Sequence, residues 1–216
     1  MENNKDSLTD KKTTDGMIGK FRQKNWVKKL EVASGMPVVA RVSRKKIVYL
    51  LMDCSGSMAE NDKLLQAKKG AIGFADEAQK KEYAVGFIAF ASHAEHILEP
   101  QNELAGLHAG IEKLSANGST NMTEAIQIAR NNLLQKAGEK VICIVTDGMP
   151  DDKKATLEAA NELRTQGIEI MTIGTDDADK EFLEELATSK KLSRKVLRDQ
   201  LEQGIISMAK MLSREN

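Results

Sequence analysis

The sequence of 216 residues is poor in aromatic side chains, with Phe, Trp and Tyr making up 4% of it, so a core has to be built from Ile, Leu, Val, Ala and ten Met. It lacks any apolar run approaching the roughly 18–20 residues of a membrane-spanning helix, which excludes a helical integral membrane protein. The opening MENNKDSLTD has no apolar stretch of the signal-peptide kind. Two cysteines cannot make a disulfide framework; Cys54 and Cys143 sit in or beside apolar runs, as reduced thiols do, and a cytoplasmic location is expected. There is no net charge, 32 basic residues balancing 32 acidic ones, which disfavours a globally basic nucleic-acid binder. Neither GxxxxGKS/T nor GxGxxG occurs, so nucleotide binding of those two kinds is disfavoured too.

The charge that is present is unevenly placed. Residues 20–46 carry nine Lys or Arg against Glu31 alone, a net +8; residues 1–19 are net −1, which leaves the remainder at −7. The chain therefore divides into a basic, partly disordered N-terminal arm (1–43) and an acidic domain (44–216). Within the arm, Trp26, Val27 and Leu30 fall on one helical face, the pattern of a short amphipathic helix.

Beyond residue 43 four apolar runs read as buried strands: Ile47–Met52, Val85–Ala91, Val141–Thr146 and Ile168–Gly174. They are continuous rather than alternating, as parallel strands covered on both faces are. HAEHILEP (93–100) leaves no room for a helix and reads as an antiparallel edge strand. Helical patterns span 62–80, 102–115, 121–136, 152–166, 179–188 and 199–213; in the first, Leu64, Ala67, Ala71, Phe74 and Ala78 make one apolar face. The alternation predicts an α/β, doubly wound, Rossmann-like sheet with helices on both sides.

In such sheets ligands bind beyond the carboxyl ends of the strands. Asp53-Cys54-Ser55-Gly56-Ser57-Met58 follows the first strand, Asp147-Gly148-Met149-Pro150-Asp151-Asp152 follows Val141–Thr146, and Asn117-Gly118-Ser119-Thr120-Asn121 precedes a helix between them. Three loops at one rim thus offer two carboxylates and several hydroxyls, with no accompanying Cys/His set. All-oxygen ligands select hard cations, Mg²⁺, Mn²⁺ or Ca²⁺, over zinc. Met58 is expected to pack below this site. Asp151 and Asp152 read as caps of the helix that follows them, Asn121 with Glu124 as a capping box, and Asp176, Asp177 and Asp179 as helix-start caps. His93 and His96, three apart on a strand, point to opposite faces and do not make a joint metal site.

Asp53-x-Ser55-x-Ser57, then Thr120 in Gly-Ser-Thr, then Asp147 in Thr-Asp-Gly, resembles the metal-ion-dependent adhesion site (MIDAS) of von Willebrand factor A domains. The phrases YLLMDCSGSM, GSTNMTEAI, VTDGMPDD and IGTDDADKEFLEELA extend the resemblance over roughly 44–190. It implies a sheet of order 3-2-1-4-5-6 with strand three antiparallel. It also implies direct ligation of the cation by Ser55, Ser57 and Thr120, and ligation by Asp53 and Asp147 directly or through water. The implied function is non-enzymatic: cation-dependent binding of a protein partner whose Asp or Glu completes the coordination. Stand-alone members of similar kind work beside AAA+ ATPases of MoxR or chelatase-like systems. Asp53→Ala or Asp147→Ala is then expected to abolish partner capture with the fold intact. The competing reading is a Mg²⁺-dependent phosphoryl-transfer or hydrolase enzyme using Asp53. It lacks the second acid usual two residues on, where Ser55 stands.

Overall fold

The computed structural model describes residues 45–213; the arm 1–43 and its expected helix lie outside the described residues. Strand β1 (Lys46–Asp53) is buried along its whole length. Its alternate residues serve two cores: Val48, Leu50 and Met52 face one, Ile47, Tyr49 and Leu51 the other. A strand with both faces covered needs no polar face, which is why the run KIVYLLMD shows no alternation. It pairs in parallel with β2 (Tyr83–Phe90) on one side and β4 (Glu139–Thr146) on the other. Outside β2 lies β3 (Ala94–Gln101), antiparallel, half-buried and interrupted by register shifts. Outside β4 come β5 (Glu169–Gly174) and β6 (Ser193–Lys195), both parallel. The order is β3-β2-β1-β4-β5-β6. This is the α/β architecture and strand order implied by the sequence resemblance, and each of the four apolar runs is a strand.

Helices α1 (Lys63–Gln79), α2 (Ala105–Glu112) and α6 (Leu201–Met211) cover one face of the sheet, contributing Phe74, Leu107, Ile111 and Ile205 to its core. Helices α3 (Met122–Leu134), α4 (Lys153–Thr165) and α5 (Lys180–Leu186) cover the other through Ile126, Leu163 and Phe182. The α1–α6 contact is close because α1 presents glycines to it. A Cβ on Gly70 would come 2.9 Å from Ile205 Cβ, and one on Gly73 2.6 Å from Ile206 Cγ1. At the far end of α6 the Lys81 ammonium donates to the carbonyls of Lys210 (2.6 Å) and Leu212 (2.5 Å), groups that a helix C-terminus leaves without intrahelical partners. No helix among the described residues is long and apolar enough to cross a membrane.

Candidate metal centre at the strand ends

Adjacent strands β1 and β4 end side by side and deliver Asp53 and Asp147 to one rim. Asp53 is fully buried. Its Oδ1 accepts the Ser55 backbone N–H at 2.8 Å and its Oδ2 the Thr146 hydroxyl at 2.6 Å. Burial pushes the Asp53 carboxyl up to about 6, against the hydrogen bonds from Ser55 and Thr146, with the nearby charge of Asp147 adding to the rise. The Ser55 and Ser57 hydroxyls lie 3.2 Å apart, and Ser57 Oγ donates to Asp147 Oδ1 at 2.8 Å. Ser55, Ser57 and Asp147 therefore form one run of oxygen atoms, to which Asp53 is tied through the Ser55 backbone N–H. Met58 is buried in the core beneath them, as its place after the hydroxyl loop predicts.

The Thr120 loop is joined to this run through the backbone. Gly56 N–H donates to Gly118 O (3.0 Å) and Asn117 N–H to Cys54 O (2.8 Å), while Asp151 N–H donates to Thr120 O (3.0 Å). All three sequence loops are thus fastened at one rim. Asp53, Ser55 and Asp147 are buried, Thr120 is half-buried and Ser57 is exposed, so the cup is closed below and open above.

Gly118 takes a left-handed φ of +71°, and a Cβ there would collide with Ser92 Oγ, which accepts the Ser119 N–H at 3.0 Å. Gly118→Ala is expected to lower stability by about 1–2 kcal/mol and to weaken cation binding by displacing the Thr120 loop. Urea denaturation and a cation titration of the variant check both effects.

Several neighbours have roles that the local pattern did not reveal. Asp152 caps α4, accepting the Ala155 N–H at 2.9 Å, but Asp151 does not. Its carboxylate instead clamps the Thr120 loop, accepting from Ser119 Oγ (2.7 Å) and Thr120 N–H (3.0 Å). Asp179 caps α5 through Phe182 N–H (3.0 Å), whereas Asp176 and Asp177 pair with Arg198 at 3.1 and 3.2 Å. Asn121 caps α3 through Glu124 N–H (3.2 Å), and Glu124 Oε2 in return accepts from Asn121 Nδ2 (3.1 Å) and also from the Ala94 N–H of β3 (2.9 Å). His96 Nε2 lies 3.0 Å from Tyr49 Oη, and the His93 side chain is exposed. Cys54 and Cys143 are buried free thiols, and burial pushes the Cys54 thiol up to about 12.

The largest addition is Lys63. Its side chain is 2% exposed, and its ammonium donates to Asp147 Oδ2 at 2.7 Å and to Asp177 Oδ2 at 2.9 Å. Burial alone pulls an ammonium pKa down; here the hydrogen bonds and charges of Asp147 and Asp177 outweigh it and raise the value above the ordinary lysine range. The chain reaches this arrangement through a 3₁₀ segment (Gly56–Asp62) that ends in two left-handed residues, Asn61 (φ 51°) and Asp62 (φ 58°). A signal did exist in the sequence: a lysine opens α1, where the helix dipole favours acids, and its first turn holds none.

Two carboxylates and three hydroxyls on one rim, with no thiolate or imidazole among them, are a donor set that fits a hard divalent cation. Among the described residues, no group of three or more His, Cys, Asp and Glu side chains is placed to hold a metal.

An open doubly wound sheet with an oxygen-lined cup at its topological switch point defines the class. The profile of the von Willebrand factor type A domain matches residues 48–208, and the chain belongs to that family. It is similar to the thrombospondin-related anonymous protein of Plasmodium falciparum, at 27% identity over 141 residues, 59% of this chain and 25% of that protein. The chain thus spans about a quarter of the length of that relative. Among solved structures, the vWF domain of the type V pili tip protein Mfa5 from Porphyromonas gingivalis superposes with a TM-score of 0.72 at 13% identity, covering 81% of this chain and 98% of that one. Proximal thread matrix protein 1 from the mussel byssus, solved with a zinc-occupied MIDAS motif, gives 0.64 at 19% identity, covering 78% and 46%.

Proposed function

We propose that the protein is a divalent-cation-dependent protein-interaction module. In this reading Asp53, Ser55, Ser57, Thr120 and Asp147 hold the cation, and a partner's Asp or Glu completes its coordination. The observation that carries the proposal is the graded burial of one hydrogen-bonded oxygen run. Asp53 and Asp147 lie sealed from water, where they balance charge, while Ser57 is exposed. When bound, the cation supplies an electrophilic positive charge that a carboxylate from outside can meet. Asp53 orients Ser55 through its backbone N–H, and Asp151 holds the Thr120 loop in place. Met149, 40% exposed in the Asp147 loop, offers an apolar contact beside the polar cup, in keeping with a protein partner.

Mg²⁺ is the cation we assign, with Mn²⁺ or Ca²⁺ able to replace it, because the donors are oxygen throughout. The partner we assign, from the resemblance to stand-alone family members, is an AAA+ ATPase of MoxR or chelatase-like type in the cytoplasm; two buried free thiols suit that compartment. The domain of this proposal is 44–216, preceded in the sequence by the basic arm 1–43. The rival reading, Asp53 as a phosphoryl acceptor, is disfavoured by its placement. A nucleophile needs an open line to its substrate, and Asp53 is fully buried with both oxygens already accepting hydrogen bonds. Affinity capture from the host, in Mg²⁺ and in EDTA, tests the proposal. An AAA+ protein retained in Mg²⁺ and released by EDTA is expected, and the same protein retained in both conditions contradicts it.

A further inference from the structure

The donor set described above is accompanied by a fixed cation of the protein's own. Lys63 Nζ lies 2.7 Å from Asp147 Oδ2 and 2.9 Å from Asp177 Oδ2, and also approaches the Ser57 carbonyl at 3.4 Å. Two of these three acceptors belong to cup residues. The side chain is 2% exposed, so water screens it little. Asp177 is held in turn by Arg198 at 3.2 Å, which also holds Asp176 at 3.1 Å. With Asp151, whose carboxylate clamps Thr120, the rim holds five carboxylates (Asp53, Asp147, Asp151, Asp176, Asp177) against two cations (Lys63, Arg198), so its surroundings are net negative.

We propose that Lys63 is the residue that sets the charge selectivity of the cation site, acting as a built-in counter-ion that lowers affinity for added metal and lowers it more steeply for ions of higher charge. The inference rests on the reading of the cup as a cation site and deepens it. Its physical content is Coulombic. A fixed unit charge a few ångström from the cup repels an incoming ion in proportion to that ion's charge. Even at water-like screening, two charges against one about 6 Å apart correspond to about tenfold in affinity. A third charge on the ion multiplies the exponent by three halves, to about thirtyfold. A purely structural lysine, one that only holds Asp147 in position, would do the opposite, and its removal would weaken every ion alike.

The full chain, stripped with chelator and dialysed, is titrated with Mn²⁺ by calorimetry and with Tb³⁺ by luminescence. Wild type is compared with Lys63→Met, Lys63→Gln and Lys63→Arg, with circular dichroism confirming the fold of each. The expected result is a gain of about tenfold for Mn²⁺ and about thirtyfold for Tb³⁺ in both neutral variants, with Lys63→Arg close to wild type. Lys63→Gln keeps a polar group facing Asp147 and serves if Lys63→Met does not fold. Equal gains for the two ions, unchanged affinities or weaker binding in the neutral variants would overturn the proposal while leaving the cation site standing. Absence of binding of either ion to wild type and variants alike would remove the cation site itself, and the proposal with it.

Discussion

Asp147→Ala is expected to abolish measurable cation binding and, in chelator, to destabilise the protein by about 2 kcal/mol. The local sequence pattern predicts only the first effect, because Asp147 reads there as a loop carboxylate whose removal touches no core. The structure adds the second. Asp147 Oδ2 accepts from Lys63 at 2.7 Å, and both side chains are almost wholly buried, at 0% and 2% exposed. Breaking a buried pair by deleting one member commonly costs about 3–5 kcal/mol, since the other charge is left without compensation. The cost is smaller here because Asp177, with its side chain 42% exposed, still holds the ammonium at 2.9 Å. Urea denaturation in EDTA measures the difference. An unchanged midpoint would mean that Lys63 relocates to water without cost.

Asp53→Asn should act in the opposite direction on metal-free protein, raising its stability by about 3 kcal/mol at pH 7.5. Burial holds the Asp53 carboxyl at about 6 in the fold, above its ordinary value of 3.8. A carboxyl raised in this way favours the folded state when it is protonated. That contribution is fully present below about pH 3.8 and is lost as pH rises through about 6, above which the buried charge is a burden. Asparagine avoids the burden and can keep both contacts: its Oδ1 can accept from Ser55 N–H, and its Nδ2 can donate to Thr146 Oγ1, which can still donate to Gly148 O at 3.2 Å. The stability advantage of Asp53→Asn in EDTA should therefore shrink as pH falls from 7 towards 4. In saturating Mg²⁺ the sign should reverse, because only wild type gains from binding. Denaturation curves across that pH range, with and without Mg²⁺, check both statements. A variant less stable than wild type in EDTA at pH 7.5 would contradict the assignment of strain to the buried charge.

These two carboxylates also show what the sequence could and could not reveal. Asp53 and Asp147 were legible because each directly follows an apolar run buried on both faces, and that position alone carries them to the rim of a doubly wound sheet. The helices were legible from their apolar faces, and their observed limits fall within a few residues of the predicted ones. Strand β6, by contrast, has three residues, Ser193-Arg194-Lys195, half-buried or exposed; no hydrophobic signal marks it, and only the resemblance implied a sixth strand. Lys63 was not legible as part of the site because its partners lie 84 and 114 positions away, Asp147 and Asp177, and the backbone turn that brings it back lies in two left-handed residues. Asp151 and Asp152 are indistinguishable as local cap signals; which of them caps α4 and which clamps the Thr120 loop is decided by the approach of a loop about 30 residues earlier in the chain.

The proposed function requires Asp53, Ser55, Ser57, Thr120 and Asp147 together to hold one divalent cation. Crystals grown in saturating Mn²⁺, measured for anomalous scattering, test it most directly. One strong peak is expected in the cup, within coordination distance of the Ser55, Ser57 and Thr120 hydroxyl oxygens. Clean density for all five side chains with no anomalous peak among them would contradict it.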